Sequence, residues 1–128
     1  MNIPDDLRYS SDHEWIRVDG DSSTITIGIT DYAQDALGDV VFVEAPEVGS
    51  EVAATDTFTE VESTKSVSDI YAPVSGTITE ANGALDDQPE LLNSDPYGEG
   101  WIVKIDMADP AQLDGLMDAA AYRQLTEG

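Results

Sequence analysis

Cysteine is absent from this chain of 128 residues. No disulfide framework holds it, and no thiolate of the polypeptide is available as nucleophile, metal ligand or redox centre; any thiol chemistry belongs to an attached group. Cations are nearly as scarce, with five Lys and Arg against 27 Asp and Glu and a net charge of −22. Phosphate neutralisation needs clustered Lys and Arg, so nucleic acid is excluded as a partner. There is one histidine, His13, and no Ser or Cys motif to partner it, so it reads as a packed or surface side chain. No nucleophile–base pair, phosphate loop or metal-spaced His cluster supports an independent enzyme. A cation-binding structural module finds no loop with calcium-site spacing. No apolar run reaches the roughly 18 residues of a spanning helix. The first ten residues lack the cationic flank and apolar core of a secretory signal and the Arg-rich, acid-poor character of a transit peptide. The expectation is a cytoplasmic protein that touches no membrane.

Hydrophobic residues make up 41% of the chain, with two Trp, five Tyr and two Phe, which suits a packed globule. The length fits one domain, 1–128, and a monomer. Total charge, 25%, is ordinary, but its split is not. Such self-repulsion destabilises a compact state in dilute buffer and is muted at molar salt, where the Debye length is about 3 Å. The expected setting is a salt-rich cytoplasm, as in a halophile.

Taken in order, 14–18 and 24–29 read as a hairpin across a turn at 19–22, with Ile25, Ile27 and Ile29 on one buried face. Thr30 or Asp31 caps a short helix ending at Leu37, with Gly38 in the left-handed position after it and Tyr32, Ala33, Ala36 and Leu37 as an apolar stripe. A strand at 40–44, nearly all apolar, is expected to be covered on both faces. Residues 51–64 return to β-prone character; Gly76 breaks the pattern, and a short strand follows at 77–80. Turns fill 82–99, with one apolar contact at Leu91 and Leu92. A strand from Trp101 to Asp106 puts Trp101, Val103 and Ile105 on one face and Lys104 on the other. Asp109 and Pro110 open a helix with Leu113, Leu116 and Met117 on one side, and Asp118 caps a last helix carrying Tyr122 and Leu125.

The centre of the chain is Glu60-Val-Glu-Ser-Thr-Lys-Ser-Val-Ser-Asp-Ile-Tyr-Ala-Pro-Val-Ser-Gly76. Two β-prone runs flank Lys65, which falls at the tip of a hairpin. The tip lacks Asn-Gly or Asp-Gly, so a turn tolerant of ordinary residues, such as type I, is expected, held by its surroundings. Lys65 and Lys104 are the two lysines present. A surface stripped of lysine has kept one at a turn tip, which marks its amine as needed.

This run resembles the lipoylation site of the H proteins of the glycine cleavage system. The likeness continues through His13-Glu14-Trp15-Ile16, through Gly28-Ile-Thr-Asp-Tyr-Ala-Gln-Asp-Ala-Leu-Gly-Asp-Val-Val-Phe-Val-Glu44, and through Asn93-Ser-Asp-Pro-Tyr-Gly-Glu-Gly-Trp-Ile102. Biotin carriers show Met on both sides of the lysine and acyltransferase lipoyl domains show Asp-Lys-Ala, whereas Thr64 and Ser66 stand here; many H proteins have Val and Ala at these places.

The resemblance implies a mainly β fold, a lipoyl-domain barrel-sandwich hybrid with a short helix after the first hairpin and C-terminal helices, its lipoyl-binding core at about 22–104. It implies lipoic acid attached covalently to Lys65 as N6-lipoyllysine, and a non-catalytic carrier. The implied partners are the pyridoxal-phosphate glycine decarboxylase (P protein), the tetrahydrofolate-dependent aminomethyltransferase (T protein), dihydrolipoyl dehydrogenase (L protein) and a lipoylating enzyme. A loaded arm ends in an ammonium, which calls for a nearby carboxylate; Glu14 and Asp69 are the arm-docking candidates, with Asp12 behind them. A lipoyl carrier for another pathway, such as sulfur oxidation, or a scaffold for lipoyl assembly and transfer shares the same site.

Overall fold

The computed structural model describes residues 3–18, 23–44 and 46–127; the turn expected at 19–22 lies outside them. Strands β1 (Arg8–Tyr9), β2 (Glu14–Val18) and β3 (Thr24–Ile29) lead to helix α1 (Asp31–Leu37) and strand β4 (Val40–Val43). Strands β5 (Glu51–Val52), β6 (Thr57–Ser63), β7 (Val67–Tyr71) and β8 (Gly76–Ala81) follow. Two one-turn helices, α2 (Ala84–Asp87) and α3 (Leu91–Ser94), precede β9 (Val103–Met107), a 3-10 helix (Pro110–Gly115) and α4 (Ala119–Glu127).

Period-two hydrophobicity made the strands, and their pairing makes two antiparallel sheets. One has the order β1-β2-β3-β9-β8-β5, the other β4-β6-β7. Ile25, Ile27, Val103 and Ile105 of the larger sheet and Val43, Val61 and Ile70 of the smaller share one core, the barrel-sandwich arrangement expected. Hairpin β2–β3 is buried on both sides. Its other face carries Trp15 into a second cluster with Ile3, Leu7, Tyr9, Ala119 and Tyr122, so the chain's two ends close over β2.

Several expectations are corrected. Strand β4 is not covered on both faces: Val41 and Phe42 are 51% and 56% exposed. The cause is that β4 is an edge strand whose register with β6 shifts between Val40 and Phe42. The β-prone stretch from 51 is broken by a turn in which Thr55 takes φ 79°, and its two halves join different sheets. Gly76 opens β8 instead of breaking it, because its backbone packs against β9 too closely for a side chain. The segment 82–99 holds α2 and α3, each too short to show helical periodicity. Trp101 lies before β9, and the Lys104 ammonium sits over its ring, 5.6 Å from the centroid. Asp109 and Pro110 do open a helix, the Asp109 carboxylate accepting from Ala111 N–H, but it is of the 3-10 kind. Tyr122 is buried in α4, whereas Leu125 is 48% exposed.

Two ion pairs join described side chains, Lys104–Glu80 at 3.8 Å and Arg123–Asp5 at 3.1 Å, both at the surface. They offset little of the net charge of −22. Raising sodium or potassium chloride from 0.01 to 1 M shortens the Debye length from about 30 to about 3 Å. Circular dichroism melts should therefore show a midpoint rising with either salt, about 4 °C for each 1 kcal/mol of repulsion removed. A flat or falling midpoint would show that the acids are arranged without net strain.

Candidate functional site

The lysine turn is held by side chains as much as by strands. Strands β6 and β7 pair up to Glu62 and Val67, leaving Ser63 to Ser66 to reverse the chain. Ser63 is buried, and its hydroxyl donates to the carbonyl of Leu37 at 2.7 Å. The same oxygen accepts from the N–H groups of Lys65 and Ser66, each at 3.2 Å, standing in for a backbone acceptor. Thr64 N–H donates to the carbonyl of Asp39 at 3.0 Å. None of the four turn residues has positive φ, as expected of a turn built from ordinary residues.

Helix α1 supplies the other support. The Thr30 hydroxyl caps it, accepting from Ala33 N–H at 3.1 Å, and Gly38 N–H closes it on the carbonyl of Gln34. Gly38 takes φ 85° as expected, but with ψ −161°, a mirror-extended conformation open essentially to glycine alone. Here the lysine stem crosses: a Cβ on Gly38 would lie 3.1 Å from Lys65 Cε. The Asn93 amide donates to the carbonyl of Gly38 at 2.8 Å and its oxygen accepts from Val40 N–H, fixing this crossing point. Lys65 is exposed at the surface.

Beside the turn lies a cleft of about 240 Å³. Tyr32, Ala33, Ala36 and Leu37 form one wall, so the helical stripe read from the sequence faces the cleft as well as the core; Ser66, Ser68, Asp69 and Ile70 form the opposite wall, with Asp12, His13 and Ile29 completing it. Typical drug-sized ligands occupy about 300–1,000 Å³; this narrower, mostly apolar channel fits an unbranched alkyl chain ending in a small ring. Two wider hollows of about 550 and 540 Å³ flank β5; the first, at the end of β6 away from Lys65, is lined largely by polar groups, and the second about equally by polar and apolar ones.

The structure brings Asp69 and Asp12 to the cleft but places Glu14 behind its wall. Glu14 is 1% exposed; its carboxylate accepts from the Ser10 hydroxyl at 2.8 Å and from Tyr71 N–H at 3.1 Å. Burial pushes its pKa up to about 7, against the two hydrogen bonds and with help from the charge of Asp12. Two cleft residues, His13 and Tyr32, and the buried Tyr122 beside them were not singled out from sequence as part of the site. His13, at φ 67°, stacks on Tyr32 with ring centroids 4.5 Å apart and contacts the Tyr122 hydroxyl through Nδ1 at 2.8 Å. The signal available for them was the aromatic at 32 on the helix stripe and the lone histidine at a strand entrance; nothing local placed Tyr122 there, 109 residues from His13.

Glu14 gives a pH prediction. The folded chain binds this proton up to about pH 7, the unfolded chain only to about 4.5. Native protein therefore holds more protons between these values, and stability falls as pH rises through that window, by about 3 kcal/mol in all. Glu14→Gln should abolish that portion of the decline, read by denaturant titration at pH 4.5 and 8. Parallel pH profiles for the two proteins would show that Glu14 is not strained by its burial.

A sequence profile of the family described as Glycine cleavage H-protein matches residues 7–128. The glycine cleavage system H protein of Micrococcus luteus is 59% identical over 125 residues, covering 98% of each chain. That of Halorhodospira halophila is 54% identical over 123 residues, covering 96% of this chain and 94% of the other. The crystal structure of a glycine cleavage system H protein from Mycobacterium marinum superposes with a TM-score of 0.88 at 42% identity, covering 98% of this chain and all of that one. Such relatives come from diverse bacteria, so the likeness does not support the halophilic origin expected from the charge. The chain belongs to the glycine cleavage H-protein family.

Proposed function

We propose that the protein is the lipoyl carrier of glycine cleavage, with lipoic acid in amide linkage to Nζ of Lys65 and the lipoyl-binding core at about 22–104. The observation that carries this reading is the place of Lys65: an exposed amine on a turn pinned by Ser63, Asp39 and Gly38, next to Ser66 in the wall of a mostly apolar cleft bordered by carboxylates. The rigid root suits a tether that several enzymes must find in one position. When attached, the group supplies a dithiolane that takes up and releases electrons and a one-carbon unit, chemistry that a chain without cysteine cannot supply itself.

The polypeptide is non-catalytic: it positions, shelters and neutralises. Ile29, Ala33, Leu37 and Ile70 shelter the alkyl portion from water. Asp69 and Asp12 hold the ammonium of a loaded arm. Glu14 favours the same cation from behind the wall, since a positive charge in the channel stabilises its ionised form. The P protein loads the carrier, the T protein unloads it to tetrahydrofolate and the L protein reoxidises it, after a lipoylating enzyme has acted on Lys65, all in the cytoplasm. Amide formation removes one cation from a chain already at −22. The test is reconstitution with the three enzymes, glycine, tetrahydrofolate and NAD. Carrier-dependent NADH formation is expected. A fully lipoylated chain that supports none would belong to another lipoyl pathway.

A further inference from the structure

The hydroxyl groups around His13 have few enough hydrogens to be counted. Thr30 is fully buried, and its Oγ1 already accepts from Ala33 N–H. The Tyr122 hydroxyl, on a residue equally buried, lies 2.7 Å from Thr30 Oγ1 and 2.8 Å from His13 Nδ1. Were Tyr122 to donate to Thr30, Thr30 Oγ1 would accept twice and its own hydrogen would have no acceptor among the described residues. A buried hydroxyl hydrogen left without a partner is disfavoured. The arrangement that satisfies every hydrogen has Thr30 donating to Tyr122 and Tyr122 donating to Nδ1 of the imidazole. Nδ1 is then the acceptor, and in a neutral ring the proton sits on Nε2.

We propose that Thr30 and Tyr122 fix His13 as its Nε2–H tautomer, so that the imidazole turns a hydrogen-bond donor, and no basic lone pair, toward the cleft that receives the arm. The proposal rests on the carrier reading above. His13 is a positioning residue here, with its ring held between Tyr32 and Tyr122. Burial lowers the His13 pKa, opposed by Asp12, which keeps the ring neutral, and burial raises that of Tyr122 to about 12, which keeps its hydroxyl a donor.

The consequence is chemical. An ammonium on a carbon that also bears sulfur is stable while protonated. Once a base removes the proton, the nitrogen lone pair forms a C=N bond as the C–S bond breaks and thiolate departs; water then takes the carbon as formaldehyde and the nitrogen as ammonia. A histidine with its lone pair toward the cleft would be such a base. With that lone pair held by Tyr122, the neighbouring carboxylates face the ammonium and the imidazole cannot remove its proton. Asp12 and Asp69 are the other titratable groups on the cleft, with Tyr32 in its wall.

Two measurements test this. Imidazole ¹⁵N correlation spectra of the unmodified chain at pH 8 should show a protonated Nε2 and an unprotonated, hydrogen-bonded Nδ1; a protonated Nδ1 would overturn the proposal whatever the chain carries. In the loaded carrier, Tyr122→Phe keeps the ring stacked on Tyr9, 4.6 Å away, and removes the donor that fixes the tautomer, so that the proton can move to Nδ1 and the lone pair of Nε2 can face the cleft. Aminomethyl release should then quicken by about 100-fold, the low side of the roughly 10²–10⁴-fold that a positioned base contributes. Adding His13→Gln to Tyr122→Phe should restore slow release, because no base remains. Unchanged release in Tyr122→Phe, or a double variant as fast as the single, would overturn the role. A chain that accepts no aminomethyl group from glycine would overturn the carrier reading instead, and the spectra would still decide the tautomer.

Discussion

Lys65→Arg should fold as the parent does and carry nothing. Lys65 is exposed and makes its contact through its stem, over Gly38, which an arginine stem can cover as well. The turn is held by the Ser63 hydroxyl and backbone groups, which the substitution leaves in place. Guanidinium stays protonated at any working pH and is not an acyl acceptor, so charge is retained while the attachment chemistry is lost. Incubation with lipoic acid, ATP and a lipoylating enzyme should leave the variant's intact mass unchanged. Carrier-dependent NADH formation should fall to background, a loss of the whole activity. Lys104, on β9, offers no substitute, since its ammonium lies 3.8 Å from Glu80 and over the Trp101 ring. Residual transfer by Lys65→Arg, with lipoyl found on Lys104, would refute the assignment.

The second large effect is structural. Gly76 of β8 pairs with Met107 of β9, and a Cβ there would lie 2.2 Å from the carbonyl oxygen of Asp106 and 2.7 Å from Ile105 Cγ2. The first of these is backbone, which cannot turn aside as a side-chain end can. Gly76→Ala must push β8 from β9 inside the six-stranded sheet, where overpacking ordinarily costs about 1–3 kcal/mol and a clash with the ladder itself more. A loss of about 4 kcal/mol or more is expected, close to the whole stability of a marginal domain. Gly83→Ala is the control, because nothing lies within 4 Å of a Cβ at that position. Urea unfolding should separate the two widely. A Gly76→Ala protein within about 1 kcal/mol of the parent would mean that the strands can shift at little cost.

What the sequence made readable were the features that depend on neighbours in the chain. Alternating isoleucines in 24–29 marked a strand, Thr30 and Gly38 bracketed a helix, and Asp109 with Pro110 marked a helix start, because each rule acts within a few residues. What was not readable depends on partners far along the chain. Apolar Val41 and Phe42 look like core, and only the position of β4 at a sheet edge exposes them. Gly76 looks like a breaker until β9 is seen against it. The same division runs through the site. Lys65 stood out by its scarcity and its turn, and Asp69 by its spacing from Lys65. Glu14 stood out beside His13 and Trp15 as an arm-docking candidate, but its burial, made with Ser10 and the backbone of Tyr71, was not readable. Tyr122 reaches His13 only because α4 folds back over β2, a contact that no local pattern announces.

The central claim, that Lys65 alone carries a lipoyl group, is tested most directly on protein isolated from its native host. Intact-mass measurement followed by peptide fragmentation should find one lipoyl group per chain, on the peptide containing Lys65, with Lys104 unmodified. A chain whose mass equals that of the bare polypeptide in cells cleaving glycine, or a lipoyl group on Lys104, would contradict it.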